Sequence, residues 1–388
     1  MSGNNIKGFY FSQVESSSTG PKNKIMNQIE AFNKSGIELE LVENPFELEG
    51  LVRGNFILRQ IVSRLPFTYV YSRHKYCAHY KKADVYYIRF LAGDRYFVSF
   101  LKKLRKNNLN ATIIMELADY PTTWYMTTSL FYRIIYFPIV LKDYLARYHY
   151  RKYVDRIAIL KPIDKVFGIE TLKFENGIDV SNIKKRVPCG INKINMVAVA
   201  AMCNFHGYDR LIEGIKCYRD GGGNREIIVH MVGGKDAPGN ELNKYISLVK
   251  EYKLEKYFVF YGTKRGAELD EIYDKCNIAV ASLGMSRIGY KTANSLKVRE
   301  YLAKGLPIIT GCNIDLFENH SFKYECKFSN DESSIDIKKI IDFFDNTYLT
   351  NNEQFIIDDI REYSEEYCDM SYAMNNVINF IKNNNKRG

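Results

Sequence analysis

From one end of the chain to the other, short apolar runs alternate with segments of helical periodicity, the pattern of an α/β protein with parallel sheets. In the first half IKGFYF, IELELV, ADVYYIRF and ATIIMEL read as strands. Between them, Ile25–Lys34 and Tyr96–Lys106 read as amphipathic helices, and SSSTGPKNK as a polar turn ahead of the first helix. In the second half MVAVAAM, EIIVHMV, FVFYG, IAVASL and PIITG are five further strands separated by helical segments. The length of 388 residues allows two cores. The rhythm therefore predicts two doubly wound units, joined in IKKRVPCGINKI, a basic stretch without periodicity. The expected organisation is a first unit over 1–182, a linker over 183–193, a second unit over 194–362, and a last helical segment over 363–388.

A hydrophobic fraction of 46% with 26% charged residues excludes a disordered or collagen-like chain. The eight cysteines are scattered, without zinc-ligand spacing or the density of a disulfide scaffold, so reduced thiols are expected. No Asp-x-Asp occurs, and no metal site is predicted. The N-terminus has no apolar signal core, and the greasiest stretch, LFYRIIYFPIVL, is too short to span a bilayer and contains Arg133 and Pro138.

Ligands of open parallel sheets sit at the carboxyl ends of strands, where glycine turns and helix N-termini meet phosphates. After MVAVAAM comes CNFHGYDRLIEGI. His206 lies at the mouth of a helix with Arg210 four residues on, a cationic pair for a diphosphate. The alternative is that His206 caps the helix and Arg210 is a solvated charge. After IAVASL, Asn294 or Ser295 is placed to cap a helix that ends at Gly305 before Pro307. Lys297 lies in its first turn as a phosphate cation, and Glu300 one turn on is an acceptor for ribose hydroxyls. Alternatively Lys297, Arg299 and Glu300 form an exposed charged face.

SLKVREYLAKGLPIITG resembles the signature of GT-B glycosyltransferases of the retaining family 4 (group 1) type. Glu300, Gly305 and Pro307 match that family's second glutamate, glycine and proline, whereas Thr292 stands where it has its first glutamate. FHGYDRLIEGI is similar to its Lys-Gly-x-x-x-Leu-Ile segment, with His206 on the lysine and Gly207 on the glycine. Ala200 and Ala201 stand in place of its Gly-Arg. NGID at Asn176–Asp179, HMVGG with Gly233, FVFYG with Gly262, and the opening strand–loop–helix unit with Gly20 complete the match over nearly the whole chain. The resemblance implies two Rossmann-like domains facing a cleft, with a nucleotide-sugar held mostly by the C-terminal one. It also implies a C-terminal helix that crosses back to the N-terminal domain.

On that reading Glu300 holds the ribose, and His206, Arg210 and Lys297 replace the missing cations at the diphosphate. Gly207, Gly233, Gly262 and the backbone at Ala293 and Asn294 line the donor site. The donor's own phosphate oxygen accepts the incoming hydroxyl's proton on the front face, so the anomeric configuration is retained without a protein nucleophile or a metal. Gly20, Glu116 and Asp119 fall on the acceptor side. Glu116, at the carboxyl end of ATIIMEL, and Asp119, just after it, face the cleft on this expectation, Asp119 serving either catalysis or a turn before Pro121.

Residues 1–190 hold 29 Lys+Arg against 17 Asp+Glu, and within them residues 51–110 hold 13 against 2. Tyrosine and phenylalanine interleave there and again over 124–153, a composition suited to anionic lipid; no nucleic-acid signature accompanies it. These features together predict a metal-independent glycosyltransferase of polysaccharide biosynthesis, capsule or exopolysaccharide. It is expected in the cytoplasm, peripheral to the inner face of the membrane, with a lipid-linked glycan acceptor. Two rivals differ in class: a nucleotide-sugar 2-epimerase of the same architecture, and a catalytically silent subunit that binds a glycan or a partner enzyme. The departures at Ala201 and Thr292 favour the second.

Overall fold

A computed structural model of the chain describes residues 5–12, 19–43, 46–48, 57–58, 61, 64–65, 74–76, 81–90, 92–117, 120, 130–234, 241–349 and 351–385. Asp119 and Cys77 lie outside these residues. Two compact units emerge: Met1–Gly177 with Met370–Gly388, and Ile178–Asp369. The junctions thus fall at 177/178 and 369/370, against the expected 182/183 and 362/363. The basic segment 183–193 belongs to the second unit, where Arg186 is buried and bonds Glu353 Oε1 at 2.6 Å.

The first unit begins with β1 (Ile6–Ser12), α1 (Thr19–Lys34), β2 (Ile37–Glu43) and a small antiparallel pair, β3 (Phe46–Leu48) and β4 (His74–Tyr76). Then follow β5 (Val85–Phe90), α2 (Arg95–Asn107), β6 (Thr112–Leu117), α3 (Leu130–Tyr150), β7 (Arg156–Ile159), β8 (Lys165–Val166) and β9 (Ile169–Lys173). The seven-stranded sheet runs β2-β1-β5-β6-β7-β9-β8, parallel except for the β8–β9 hairpin. Strands β5 and β6 are buried at every residue, as sheets covered on both faces require. Helix α1 starts at Thr19, six residues before the expected Ile25, so Gly20 lies in its first turn and not in a loop. Pro21 is tolerated there because a first-turn N–H has no helical partner. Asp94 caps α2 by accepting from the N–H groups of Tyr96 and Phe97 at 2.9 Å each. The same helix buries Phe97, Phe100, Leu101 and Leu104 on one face.

The second unit comprises β10 (Ile194–Val199), α4 (Tyr208–Asp220), β11 (Ile227–Val232), α5 (Leu242–Glu251), β12 (Phe258–Gly262), α6 (Ala267–Tyr273) and β13 (Ile278–Val280). It continues with β14 (Thr292–Ala293), α7 (Leu296–Ala303), β15 (Ile308–Thr310), β16 (Asn313–Ile314), α8 (Asp315–Asn319), β17 (Glu325–Lys327), α9 (Ile337–Leu349) and α10 (Glu353–Tyr367). Its six-stranded sheet, β12-β11-β10-β13-β15-β17, is entirely parallel. Two further helices, α11 (Met370–Ala373) and α12 (Asn375–Asn385), return to the first unit. There Met374, Val377, Ile378 and Ile381 pack in one core with Tyr10, Phe32, Val85 and Tyr87. Among the described residues no helix is long and apolar enough to cross a membrane. The seven described cysteines form no disulfide, and Cys276, Cys312, Cys326 and Cys368 are buried.

Candidate functional site

In the second sheet β10 is flanked by β11 on one side and β13 on the other, so the order of connection reverses at β10/β13. That reversal opens a crevice at the carboxyl ends of the strands. The loop after β10 forms a 3-10 turn over Asn204–His206 and enters α4 through Gly207 at φ 63°. A Cβ on Gly207 would lie 2.5 Å from the Gly284 nitrogen, so only glycine lets the loops after β10 and β13 meet. The Leu283 N–H donates to His206 O at 2.8 Å across that contact. Gly233, at φ 111°, closes the other side: its N–H donates to Gly262 O at 2.7 Å, and a Cβ there would meet Ala200 O at 2.1 Å. Gly207, Gly233 and Gly262 therefore all lie along the carboxyl edge of one sheet.

Helix α7 brings the charged residues to this edge. Tyr301 is buried and anchors the helix, its hydroxyl accepting from Val199 N–H at 2.8 Å and donating to Val199 O at 3.2 Å. Ser295 occupies the N-cap position with extended backbone but makes no side-chain cap bond, which leaves the first-turn N–H groups uncapped by it. Ala293 is buried in β14, and Asn294 is exposed between that strand and the helix. Half-buried Lys297 places Nζ 5.8 Å from the centre of the Tyr208 ring and 3.5 Å from its hydroxyl. No carboxylate among the described residues pairs with it, and burial lowers its pKa to about 7. Glu300 is half-buried and accepts from Tyr273 Oη at 3.2 Å; burial raises its pKa.

The alternative of an exposed charged face fails at its middle residue. Arg299 is fully buried and donates to Asp315 Oδ2 at 2.9 Å. His206 is also buried, stacked near Tyr208, and burial foremost, then Lys297, lowers its pKa to about 3. Its Nδ1 lies 3.2 Å from Cys203 O. A carbonyl only accepts, so Nδ1 carries the proton and Nε2 of the neutral ring is an acceptor. His206 is therefore not a cation at neutral pH, contrary to expectation.

Arg210 is corrected more sharply. It is 2% exposed, and its guanidinium donates to the carbonyls of Leu283, Ser333 (2.6 Å) and Ser329 (3.1 Å) and to Asp331 Oδ1 at 3.2 Å. Those bonds fasten the loops after β13 and β17 onto α4 and engage all three guanidinium nitrogens. Of the three expected cations, Lys297 alone has its charged group engaged by no carboxylate or carbonyl among the described residues, and with a pKa of about 7 it is protonated in part at neutral pH.

The first unit also corrects an expectation. Glu116 sits near the carboxyl end of β6 but is fully buried. It accepts from Tyr87 Oη at 2.7 Å and Gln28 Nε2 at 3.0 Å, and pairs with Arg89 at 3.5 Å. The parallel register puts Arg89 opposite Glu116 and Tyr10 opposite Tyr87, so this is an internal network under α1 and not a carboxylate offered to an acceptor. Asp119, the catalytic candidate of the same loop, lies outside the described residues.

One carboxylate escaped the sequence reading. Glu318, in α8, accepts from Thr292 Oγ1 at 3.4 Å and from Asn313 Nδ2 at 2.6 Å. An acid group thus reaches the position where the resemblance leaves a threonine. The β14–β16 pairing makes the approach, which no spacing in the sequence reveals.

Two Rossmann-like units with the last helix returned to the first define the GT-B fold of the glycosyltransferases. Several solved structures share it. A glycosyltransferase from Rickettsia africae ESF-5 matches with a TM-score of 0.61 over 99% of this chain and 100% of its own, at 13% identity. Sucrose-phosphate synthase from Thermosynechococcus elongatus matches at 0.55 over 97% and 99%, with 10% identity. Alr3699/HepE of Anabaena, solved in complex with UDP-glucose, matches at 0.54 over 99% and 100%, with 10% identity. No family model matches the chain, and no curated protein does.

Proposed function

We propose that the chain is a nucleotide-sugar-dependent glycosyltransferase that transfers its sugar, with retention, to a hydroxyl of a lipid-linked cell-surface glycan. The observation that carries the reading is Lys297. It is an amine partly protonated at neutral pH, without a carboxylate partner among the described residues, beside a helix N-terminus whose N-cap Ser295 makes no side-chain cap bond, at the topological switch of a parallel sheet. On this reading Lys297 and the first-turn N–H groups of α7 take the diphosphate. Glu300, one turn on, takes the ribose hydroxyls. Nε2 of neutral His206 accepts from a sugar hydroxyl, Thr292 and Glu318 hold another, and the glycines Gly207, Gly233 and Gly262 leave the backbone close to the ligand.

The leaving phosphate accepts the acceptor's proton as the new glycosidic bond forms on the same face. The protein contributes placement and charge stabilisation. A peripheral seat on the inner, anionic membrane surface through residues 51–110 and 124–153 would bring the enzyme to a lipid-linked acceptor. The neighbour that holds UDP-glucose supports a nucleotide-sugar donor.

A thermal-shift screen of nucleotide-sugars tests the donor half: a ligand at 100 times its Kd stabilises by about 2.7 kcal/mol. The matching donor should raise the Tm of the wild type and not of Lys297→Met. A screen in which no nucleotide-sugar shifts the wild type overturns the reading. Donor turnover that needs no acceptor would instead mark an epimerase, and turnover abolished by a chelator would refute metal independence.

A further inference from the structure

Helix α3 is apolar on two opposite sides. One side, with Ile139, Ala146 and Tyr150, is buried in the first unit. The other carries Leu130, Ile134, Phe137, Leu141, Tyr144, Leu145 and Tyr148, each between 42% and 72% exposed. At 3.6 residues per turn these seven fall within an arc of about 100°, where a surface helix ordinarily carries polar groups. A continuous exposed apolar stripe of this kind marks an interaction surface. Beside it, on the flank toward α2, lies a cavity of about 550 Å³ whose apolar wall includes Val98, Pro138, Leu141 and Leu145. Leu141 and Leu145 belong to both, so the cavity opens at the edge of the stripe.

Among the described residues the cavity's polar lining is Arg64, Arg95, Lys142, His149 and the buried Asp94, whose Oδ1 accepts the cap bonds of α2. Burial lowers the pKa of Lys142 and the nearby Asp94 partly offsets this, so Arg64 and Arg95 are the permanent cations of the rim. The Arg64 guanidinium is held against α3 by a bond to Ile135 O at 3.0 Å and lies 5.6 Å from the Tyr136 ring centre. Apolar walls with cations at the rim match one ligand chemistry, an alkyl chain ending in an anion. A second copy of the chain is the other candidate to cover the stripe. A symmetric dimer through the stripe would bring the Arg64, Arg95 and Lys142 rims of two copies toward one another. An anionic bilayer neutralises that charge where a symmetric dimer opposes like with like.

We propose that the cavity between α2 and α3 receives one acyl chain of an anionic membrane lipid, its phosphate held by Arg64, Arg95 and Lys142, while the stripe of α3 lies in the bilayer interface. This deepens, and rests on, the peripheral-membrane reading above; it does not depend on donor chemistry. Decyl phosphate, a soluble anionic single-chain amphiphile, tests the cavity by titration calorimetry on the full chain. Binding of one equivalent is expected, at least tenfold weaker in Val98→Phe, which fills the cavity, and in Leu145→Glu at its exposed mouth. Melting curves of both variants confirm that they fold.

Decyl maltoside, equal in chain length and uncharged, should bind at least tenfold more weakly. Ile134→Glu/Phe137→Glu should lose flotation with phosphatidylglycerol vesicles yet keep its decyl phosphate affinity. No decyl phosphate binding by the wild type, or unchanged binding by both cavity variants, overturns the acyl site. Equal affinity for the maltoside overturns the role of the cations. A sedimenting dimer that the double variant dissociates, with no vesicle binding by the wild type, assigns the stripe to a second copy and overturns the membrane assignment. None of these readouts requires glycosyl transfer, so failure of the transferase reading leaves them interpretable.

Discussion

Lys297 and Arg210 show how two residues of one charge part company once burial and partners are fixed. Lys297 has its pKa lowered to about 7 by burial, below its unfolded value of about 10.4. Unfolding therefore takes up a proton between those two values, and the penalty of burying the charge, complete below pH 7, fades as pH rises toward 10. A wild type that gains stability against Lys297→Met over that range, by thermal melts at successive pH values, is the expected outcome. Donor binding should follow the opposite course, because a diphosphate selects the protonated amine: the donor KM of Lys297→Met is flat with pH and at least tenfold above that of the wild type below pH 7, and the wild-type KM rises toward it above pH 7.

Arg210→Met leaves the carbonyls of Leu283, Ser329 and Ser333 without their donor, so its cost falls on stability, about 3 kcal/mol or more. Urea unfolding should show that loss, with the donor KM changed less than threefold at a temperature where the variant is folded. The KG-like spacing of His206 and Gly207 was legible in the sequence. That His206 is neutral was not, because its charge depends on what the fold stacks against it.

At the scale of elements, the strands and the order of motifs along them were readable because β-branched and aromatic runs bounded by glycine announce buried parallel strands. The start of α1 was missed, since Gly20 and Pro21 look like a turn while the first turn of a helix tolerates both. The close approach at Gly233 belongs to this scale too: a Cβ 2.1 Å from Ala200 O forces β10 and β11 apart at their carboxyl ends. Gly233→Ala should destabilise the chain by about 2 kcal/mol or more and weaken donor binding in whatever folds; a melt within one degree of the wild type would refute that packing. Tyr301→Phe removes both hydroxyl bonds that tie α7 to the end of β10. A loss of about 1 kcal/mol is expected, with the donor KM raised as Lys297 loses its fixed position.

For the whole molecule, the return of the C-terminus decides the stability of the first unit. Met374, Val377, Ile378 and Ile381 are each at most 4% exposed among side chains drawn from β1, α1 and β5. A chain ended at Asp369 should therefore unfold its first unit at lower temperature in calorimetry, while the second unit keeps its own transition. The uneven charge also belongs to this scale: of the basic residues in 51–110, Arg64 and Arg95 border the cavity beside α3, a placement that composition alone could not give.

The sequence by itself determined the fold class, the two-unit plan and the glycine turns along the carboxyl edge of the second sheet. Periodicity and glycine position are local properties, and the chain writes them in order. Only the tertiary structure decided which charged side chains face that edge. It buried Arg210, Arg299 and Glu116 in networks, kept Lys297 without a counter-charge among the described residues, and brought Glu318 to Thr292 from a different element. A side chain's charge state and availability are set by neighbours distant in sequence, through desolvation and pairing, and no local pattern encodes them.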